Sequence, residues 1–148
     1  MQVVREMTVN DLPQVMVIEK ENFSKPWTDK GFLTFLLRHD TLFLVAEEEG
    51  TIIGFAGVMM VLDEAELTNV AVMKNHQKQG IGRFLIESLM RLLAELEVDI
   101  LHLEVRVSND KAISLYRQIG FEDVGMRHNY YEEPNEDAIL MRREILHK

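Results

Sequence analysis

Asn69-Val70-Ala71-Val72-Met73-Lys74-Asn75-His76-Gln77-Lys78-Gln79-Gly80-Ile81-Gly82-Arg83-Phe84-Leu85 reads as the end of an apolar strand, a short polar loop and a glycine pair that opens an amphipathic helix. That order builds an anion site. Gly80 and Gly82 carry no Cβ, so the backbone there can take unusual dihedrals and approach a ligand closely. The first N–H groups of the helix have no intrahelical acceptor and lie at the positive end of its dipole, which suits a pyrophosphate without a metal.

Spacing narrows the choice. A Walker A loop needs G-x-x-x-x-G-K-[ST], whereas Gly82 is followed by Arg83 and Phe84. A dinucleotide fingerprint needs a third glycine, and Leu85 occupies that position, although Glu104 lies about twenty residues on, where a ribose-binding acid would fall. The stretch fits Q-x-x-G-x-G best, as Gln77-Lys78-Gln79-Gly80-Ile81-Gly82; an ordinary glycine-bearing turn before a helix competes with it.

The chain has 148 residues, 47% hydrophobic and 28% charged, which suits one soluble domain over residues 1–148 with a single core. No apolar run reaches the ~18 residues of a membrane span, and Met1-Gln-Val-Val-Arg-Glu6 lacks a signal-peptide core, so a cytoplasmic protein without membrane contact is expected. With no cysteine, thiolate chemistry and disulfides are excluded, leaving oxygen and nitrogen groups for catalysis. A formal charge of −9 opposes general nucleic-acid binding and favours a cationic partner, though the same excess also simply keeps a protein dispersed.

In chain order, a strand over Val3–Met7 precedes a helix for which Asn10 is the expected cap, Pro13 falling in its first turn and Leu12, Val15, Met16 and Ile18 forming its stripe. After the loop Phe23–Trp27, Thr28 caps a second helix bearing Phe32, Phe35 and Leu36. Strand-like runs at 42–47, 51–62 and 66–72 form an antiparallel meander, with Gly54 and Gly57 marking a bend or a close approach to another backbone. The helix after the glycine loop, about Gly82–Leu96, turns Phe84, Leu85, Leu89, Leu92, Leu93 and Leu96 inward. Ile100–Val105 then forms a strand parallel to the one before the loop. Asn109 lies in the cap of a helix ending at Ile119-Gly120, and strands at 121–131 and 137–145 flank the acidic turn Glu132-Glu133-Pro134-Asn135-Glu136. The expected class is α/β (α+β in some schemes): a mixed, mostly antiparallel sheet of about seven strands with a central parallel pair, flanked by about four helices.

The loop, together with Leu103-Glu104-Val105 and the downstream Asn109, Ala112-Ile113, Leu115-Tyr116 and Gly120-Phe121, resembles the GNAT N-acetyltransferases. Ala65-Glu66-Leu67-Thr68-Asn69-Val70-Ala71-Val72 and Asn129-Tyr130-Tyr131 are similar to the bacterial ribosomal-protein-alanine branch of that family. The resemblance implies acetyl-CoA as co-substrate and no metal. Its implied acceptor is the α-amino group of a basic protein N-terminus, an N-terminal alanine of a small-subunit ribosomal protein. It further implies Glu104 as general base and Tyr116 as general acid. Backbone groups of Val70, Ala71 and Val72 would hold the pantetheine arm. Lys78, Gln79, Gly80, Ile81, Gly82 and Arg83 would hold pyrophosphate, and Asn109 would touch the coenzyme.

The chemistry is consistent with those roles. An α-amino group has a reference pKa of ~7.7–8.0, so only about a tenth to a fifth is neutral at pH 7 and a base is useful. Glu104 shares a strand face with Ile100 and His102, opposite Leu101, Leu103 and Val105; a carboxylate paired with Arg106 is its alternative reading. Tyr116 is either the acid or a core phenol, and Arg83 either a phosphate ligand or a solvated helix residue. Tyr130, Tyr131 and Phe23–Trp27 are candidate walls of the acceptor groove or core packing. The histidines at 39, 76, 102, 128 and 147 form no metal-ligand spacing; His102 is placed to tune Glu104. Two other functions remain open: acetylation of small amines or lysine side chains, and a non-catalytic acetyl-CoA-binding regulator.

Overall fold

The computed structural model describes residues 2–132 and 134–145, so Glu133 and His147 lie outside the described residues. Seven strands, β1 (Gln2–Glu6), β2 (Thr41–Glu48), β3 (Thr51–Val61), β4 (Glu64–Val72), β5 (Ile100–Arg106), β6 (Glu122–Tyr131) and β7 (Glu136–Glu144), make one sheet in the order β1-β2-β3-β4-β5-β7-β6. Four α-helices accompany it: α1 (Leu12–Asn22), α2 (Asp29–Leu36), α3 (Ile81–Glu95) and α4 (Asp110–Ile119). The mixed sheet with its parallel pair is the expected architecture. β2, β3 and β4 form the meander, and Glu49 (φ 50°) and Gly50 (φ 84°) make the doubly left-handed turn that suits a two-residue hairpin.

The parallel pair is short. Among the described residues β4 and β5 are registered only at Glu64↔Ile100, Ala65↔Leu101 and Glu66↔His102, and the rest of β4 has no strand on that side. A register shift between Gly57 and Val58 inserts Thr68 as an extra residue into β4, and its hydroxyl donates to the Gly57 carbonyl at 3.1 Å. Alternation then reverses: Ala65 and Leu67 before the bulge, and Val70 and Val72 after it, pack on the side of α3 and α4, while Ala71 joins the cluster under α1 and α2. That second cluster draws on β2, β3 and β4 through Phe43, Val45, Ile52, Phe55 and Ala71, and β5 contributes nothing to it. On this face His102 and Glu104 therefore lie beyond the helices.

The expected helix caps at Thr28 and Asn109 are present: Thr28 Oγ1 accepts from Gly31 N–H at 3.0 Å and Asn109 Oδ1 from Ala112 N–H at 3.3 Å, with Gly120 left-handed (φ 107°) after α4. The cap expected at Asn10 is not. Thr8 begins a 3-10 turn over Val9–Asp11, and Asp11 Oδ2 accepts Thr8 N–H at 2.7 Å while its carboxylate takes Arg5 at 2.8 Å on both oxygens. A bidentate pair to β1 outweighs the single bond a terminal asparagine offers. Leu96 also departs from expectation: α3 ends at Glu95, leaving Leu96 56% exposed, and Ile86 and Ser88 join the buried side instead.

Glu19 is 1% exposed on α1, a charge the apolar pattern did not reveal. It accepts from the Trp27 N–H at 2.9 Å and the Asn69 Nδ2 at 3.1 Å, tying the α1–α2 segment to the β4 bulge. Desolvation pushes its carboxyl pKa up against these two bonds, so the group stabilises the fold below its unfolded pKa and loses that contribution as pH rises through the folded value. Glu19→Gln, which keeps an acceptor for Trp27, is expected to raise stability at neutral pH by about 1 kcal/mol, or roughly 3 °C in Tm. Thermal melts at pH 4 and 7 should show the gain only at pH 7; equal effects at both would remove the desolvation argument.

Candidate functional site

The glycine loop turns into α3 through left-handed residues. Lys78 (φ 66°) and Gly80 (φ 82°) are both left-handed, and Phe84 N–H donates to the Gly80 carbonyl at 3.0 Å as α3 begins. The N–H groups of Ile81, Gly82 and Arg83 precede the first such bond and remain available to a ligand. A Cβ built on Gly80 would meet nothing within 4 Å, and on Gly82 only Leu115 at 3.5 Å and Val72 at 3.9 Å, so the space over this helix tip is open. Ile81 is 2% exposed and anchors the tip in the core, whereas Lys78 and Gln79 face solvent. This donor set fits a diphosphate. Arg83 is exposed and forms an i,i+4 pair with Glu87 at 3.5 Å.

Gln77, the first residue of the motif, is exposed and folds back on the end of β4. Its Nε2 donates to the Val72 carbonyl and to Asn22 Oδ1, both at 3.1 Å, while Asn22 Nδ2 also donates to Val72 O at 3.1 Å. The end of α1 is thereby fastened to the end of β4, and Glu21 accepts the Lys74 N–H at 2.7 Å beside it. Met73 N–H donates to Ile53 O, so by antiparallel alternation the backbone of Ala71 faces Phe55 across the ladder and that of Val70 and Val72 faces away. Of the triplet expected to hold an extended arm, Ala71 is thus committed to β3 and the Val72 carbonyl to two side-chain amides. The groups that remain are both polar atoms of Val70 and the Val72 N–H.

Glu104 lies on the uncovered face of β5, in a groove of about 400 Å³ whose lining includes Glu64, Glu66, His102, Val124 and Arg127. Its side chain is 17% exposed and pairs with Arg127 Nε at 3.7 Å, not with Arg106. Arg106 instead donates to the Pro134 carbonyl at 3.0 Å and stacks over Tyr131, 4.3 Å from the ring centre. His102 is bound to Glu64 at 2.6 Å, which takes it away from Glu104. The Glu104 carboxylate beside it, and then burial, push the Tyr130 phenol up to about 12.

Tyr116 enters from α4 on the opposite face, 7% exposed and 5.7 Å ring to ring from Phe121. Burial, and then the proximity of Tyr131, push its phenol well above the usual tyrosine range, and Tyr131 is itself raised by burial and by Glu104. Tyr131 therefore lies within electrostatic reach of both Glu104 and Tyr116. Asn109 is engaged as the cap of α4 through its oxygen. Trp27, expected in the groove wall, packs inward on Phe32 and Phe35 at 5.1 and 5.0 Å, leaving Phe23 as the outward aromatic of that loop.

A profile of the acetyltransferase (GNAT) family matches residues 12–121. The [ribosomal protein bS18]-alanine N-acetyltransferase of Escherichia coli is 38% identical over 143 residues, covering 95% of this chain and 96% of the relative. The crystal structure of the Escherichia coli ribosomal-protein-S18-alanine N-acetyltransferase superposes with a TM-score of 0.92 at 37% identity, covering 100% of this chain and 96% of that one. Ard1 from Thermoplasma volcanium superposes with a TM-score of 0.90 at 27% identity, covering 98% of each chain. With a glycine-opened helix tip, a sheet parted beside it and relatives of this closeness over nearly its whole length, the chain belongs to the acetyltransferase (GNAT) family.

Proposed function

We propose that this protein transfers the acetyl group of acetyl-CoA to the α-amino group of a protein N-terminus, an N-terminal alanine of a ribosomal protein. The observation that carries the reading is the position of Glu104, a largely buried carboxylate facing the groove on β5 next to the strand edge that β4 leaves free. The acceptor assignment rests on the substrate named for the Escherichia coli relative.

The chain supplies four functions. Main-chain N–H groups from Gly80 to Arg83 hold the diphosphate, with Lys78 and Gln79 beside them. The free polar groups of Val70 and the Val72 N–H pair with the pantetheine arm as an added strand would, and an N–H directed at the thioester oxygen stabilises charge developing there. Glu104, directly or through one water, accepts the proton of the attacking amine. Tyr116 supplies a proton to the leaving sulfur. Its raised pKa makes it a weaker acid than free tyrosine, but a thiolate forming in the same poorly solvated space is destabilised in the same direction.

The acceptor is tested by offering acetyl-CoA with a pool of peptides that differ at the first residue and also contain lysine, then locating the added mass by fragmentation. Acetyl on the N-terminal nitrogen of alanine peptides is expected; modification of lysine alone would overturn the assignment. Coenzyme binding has its own test in Gly82→Ala. The protein accommodates that methyl at ordinary contact distance, and the helix gains an alanine, so folding stability should change by less than about 1 kcal/mol. The methyl projects where the diphosphate would approach, and calorimetry should show coenzyme A affinity reduced about tenfold or more. Unchanged affinity would move the diphosphate elsewhere.

A further inference from the structure

Past Glu66 one side of β4 has no neighbouring strand among the described residues, yet side chains of α1 hold that stretch at two points. The first is Asn69, whose Nδ2 donates to Glu19 Oε1 at 3.1 Å. The second is Val72, whose carbonyl accepts from Asn22 Nδ2 at 3.1 Å. Glu19 and Asn22 stand three residues apart and share one face of the helix. Just beyond the strand, Glu21 takes the Lys74 N–H at 2.7 Å. Between the two grips lie Ala71, whose backbone faces β3, and Val70, whose N–H and carbonyl face the open edge.

Folding stability alone does not call for these groups. Glu19 is 1% exposed and Asn69 6%, and Asn69 Oδ1 is buried without a hydrogen-bond partner among the described residues. A buried carboxylate and an unpaired carbonyl each cost stability, and apolar side chains of similar shape would seat α1 on the sheet as well. What the polar contact adds is a fixed position for the residue that follows the β4 bulge. Thr68 is the extra residue, its hydroxyl bonded to the Gly57 carbonyl, and Asn69 is the next, directly before Val70. Resting on the reading of Val70 and Val72 as partners of the pantetheine arm, we propose that Glu19 and Asn22 are positioning residues: they brace β4 from α1, through Asn69 and the Val72 carbonyl, so that the open-edge groups of Val70 and the Val72 N–H stand ready for the arm. Helix α1 does for this edge what a neighbouring strand does elsewhere in the sheet. An arm that meets a preformed edge loses no affinity to ordering it. Neither Glu19 nor Asn22 has to touch the coenzyme.

The test is calorimetric affinity of the full chain for coenzyme A and for ADP, which carries the diphosphate without the arm. Wild type, Asn69→Ala, the double variant Asn22→Ala/Asn69→Ala and Glu19→Gln are compared. Wild type should bind coenzyme A more tightly than ADP. Asn69→Ala leaves Glu19 on the Trp27 N–H and should weaken coenzyme A about fivefold, the weight of one main-chain hydrogen bond to the arm. The double variant should weaken it about tenfold or more, as the second grip is lost. Gln77 keeps its own bond to the Val72 carbonyl in both, so the glycine loop stays in place and ADP affinity should stay within about a factor of two. Glu19→Gln keeps an oxygen for Trp27, and its amide can donate to Asn69 Oδ1 once the Asn69 carboxamide turns over, so coenzyme A affinity should remain within about twofold of wild type. If Asn69→Ala does not fold, Asn69→Leu, close in shape and without the donor, replaces it with the same expectations. Unchanged coenzyme A affinity in either asparagine variant, or a parallel loss of ADP affinity, would overturn the inference. So would a loss in Glu19→Gln as large as that in Asn69→Ala, because the brace keeps its bond there. Equal affinity of wild type for coenzyme A and ADP would instead overturn the reading of Val70 and Val72 as the arm's partners.

Discussion

Glu104→Gln should lower kcat at pH 7 by about a hundredfold or more, the usual contribution of a general base, and leave calorimetric acetyl-CoA affinity within about a factor of two. The amide retains the size of the carboxylate and one acceptor oxygen, so the groove keeps its shape while losing the group that accepts a proton. The deficit should also depend on pH in a definite direction. At pH 7 most of an α-amine is protonated, with a reference pKa of ~7.7–8.0, whereas near pH 9 about nine-tenths or more is already neutral. The ratio of wild-type to variant rate should therefore shrink as pH rises from 7 to 9. A lysine acceptor, with a reference pKa of ~10.4, would keep the ratio high over the same interval, so one profile reports on both base and acceptor. Equal rates for variant and wild type at pH 7 would remove Glu104 from the reaction.

The order of elements was legible because it depends on local chemistry: period-two apolar runs give the strands of the sheet, Thr28 and Asn109 cap their own helices, and Gly120 stops α4. The parallel pair followed from the helix between its members, since a crossover returns the chain in the same direction. What escaped lies between residues far apart in the chain. Glu19 meets Asn69 across a separation of 50 residues, and Gln77 meets Asn22 across 55, so neither contact leaves a local pattern. The Asn10 cap failed because Asp11 answers to Arg5 in the preceding strand. For Glu104 the face was readable from alternation, but its partner was not: Arg127 of β6 reaches it across β7, which lies between β5 and β6. Sequence spacing shows which side of a strand a residue occupies. Register irregularities decide what it meets there.

Gly57→Ala should be the most damaging single methyl that can be added to this sheet, lowering stability by about 3 kcal/mol and Tm by roughly 10 °C. A Cβ at Gly57 would fall 2.0 Å from Phe43 Cε1 and 2.2 Å from Cδ1, so the close approach anticipated for this glycine is to an aromatic ring, not to another backbone. That ring has nowhere to go. Phe43 is 3% exposed and held among Phe32, Phe35 and Trp27 at centroid distances of 5.3, 5.9 and 6.5 Å. Displacing it would disturb Trp27, whose N–H is bound to Glu19, and hence the segment between α1 and α2 that adjoins the parted strands. Shortening the ring offers the test. Phe43→Leu alone should cost about 1–2 kcal/mol through the space it leaves, while in the Gly57→Ala background that space receives the new methyl. The double variant should therefore be more stable than Gly57→Ala, with a coupling energy of about 1–2 kcal/mol in denaturant titrations. Simple addition of the two costs would mean that Gly57 is required by the bulge at Thr68 and not by the ring, because only the bulge would be indifferent to the residue at 43.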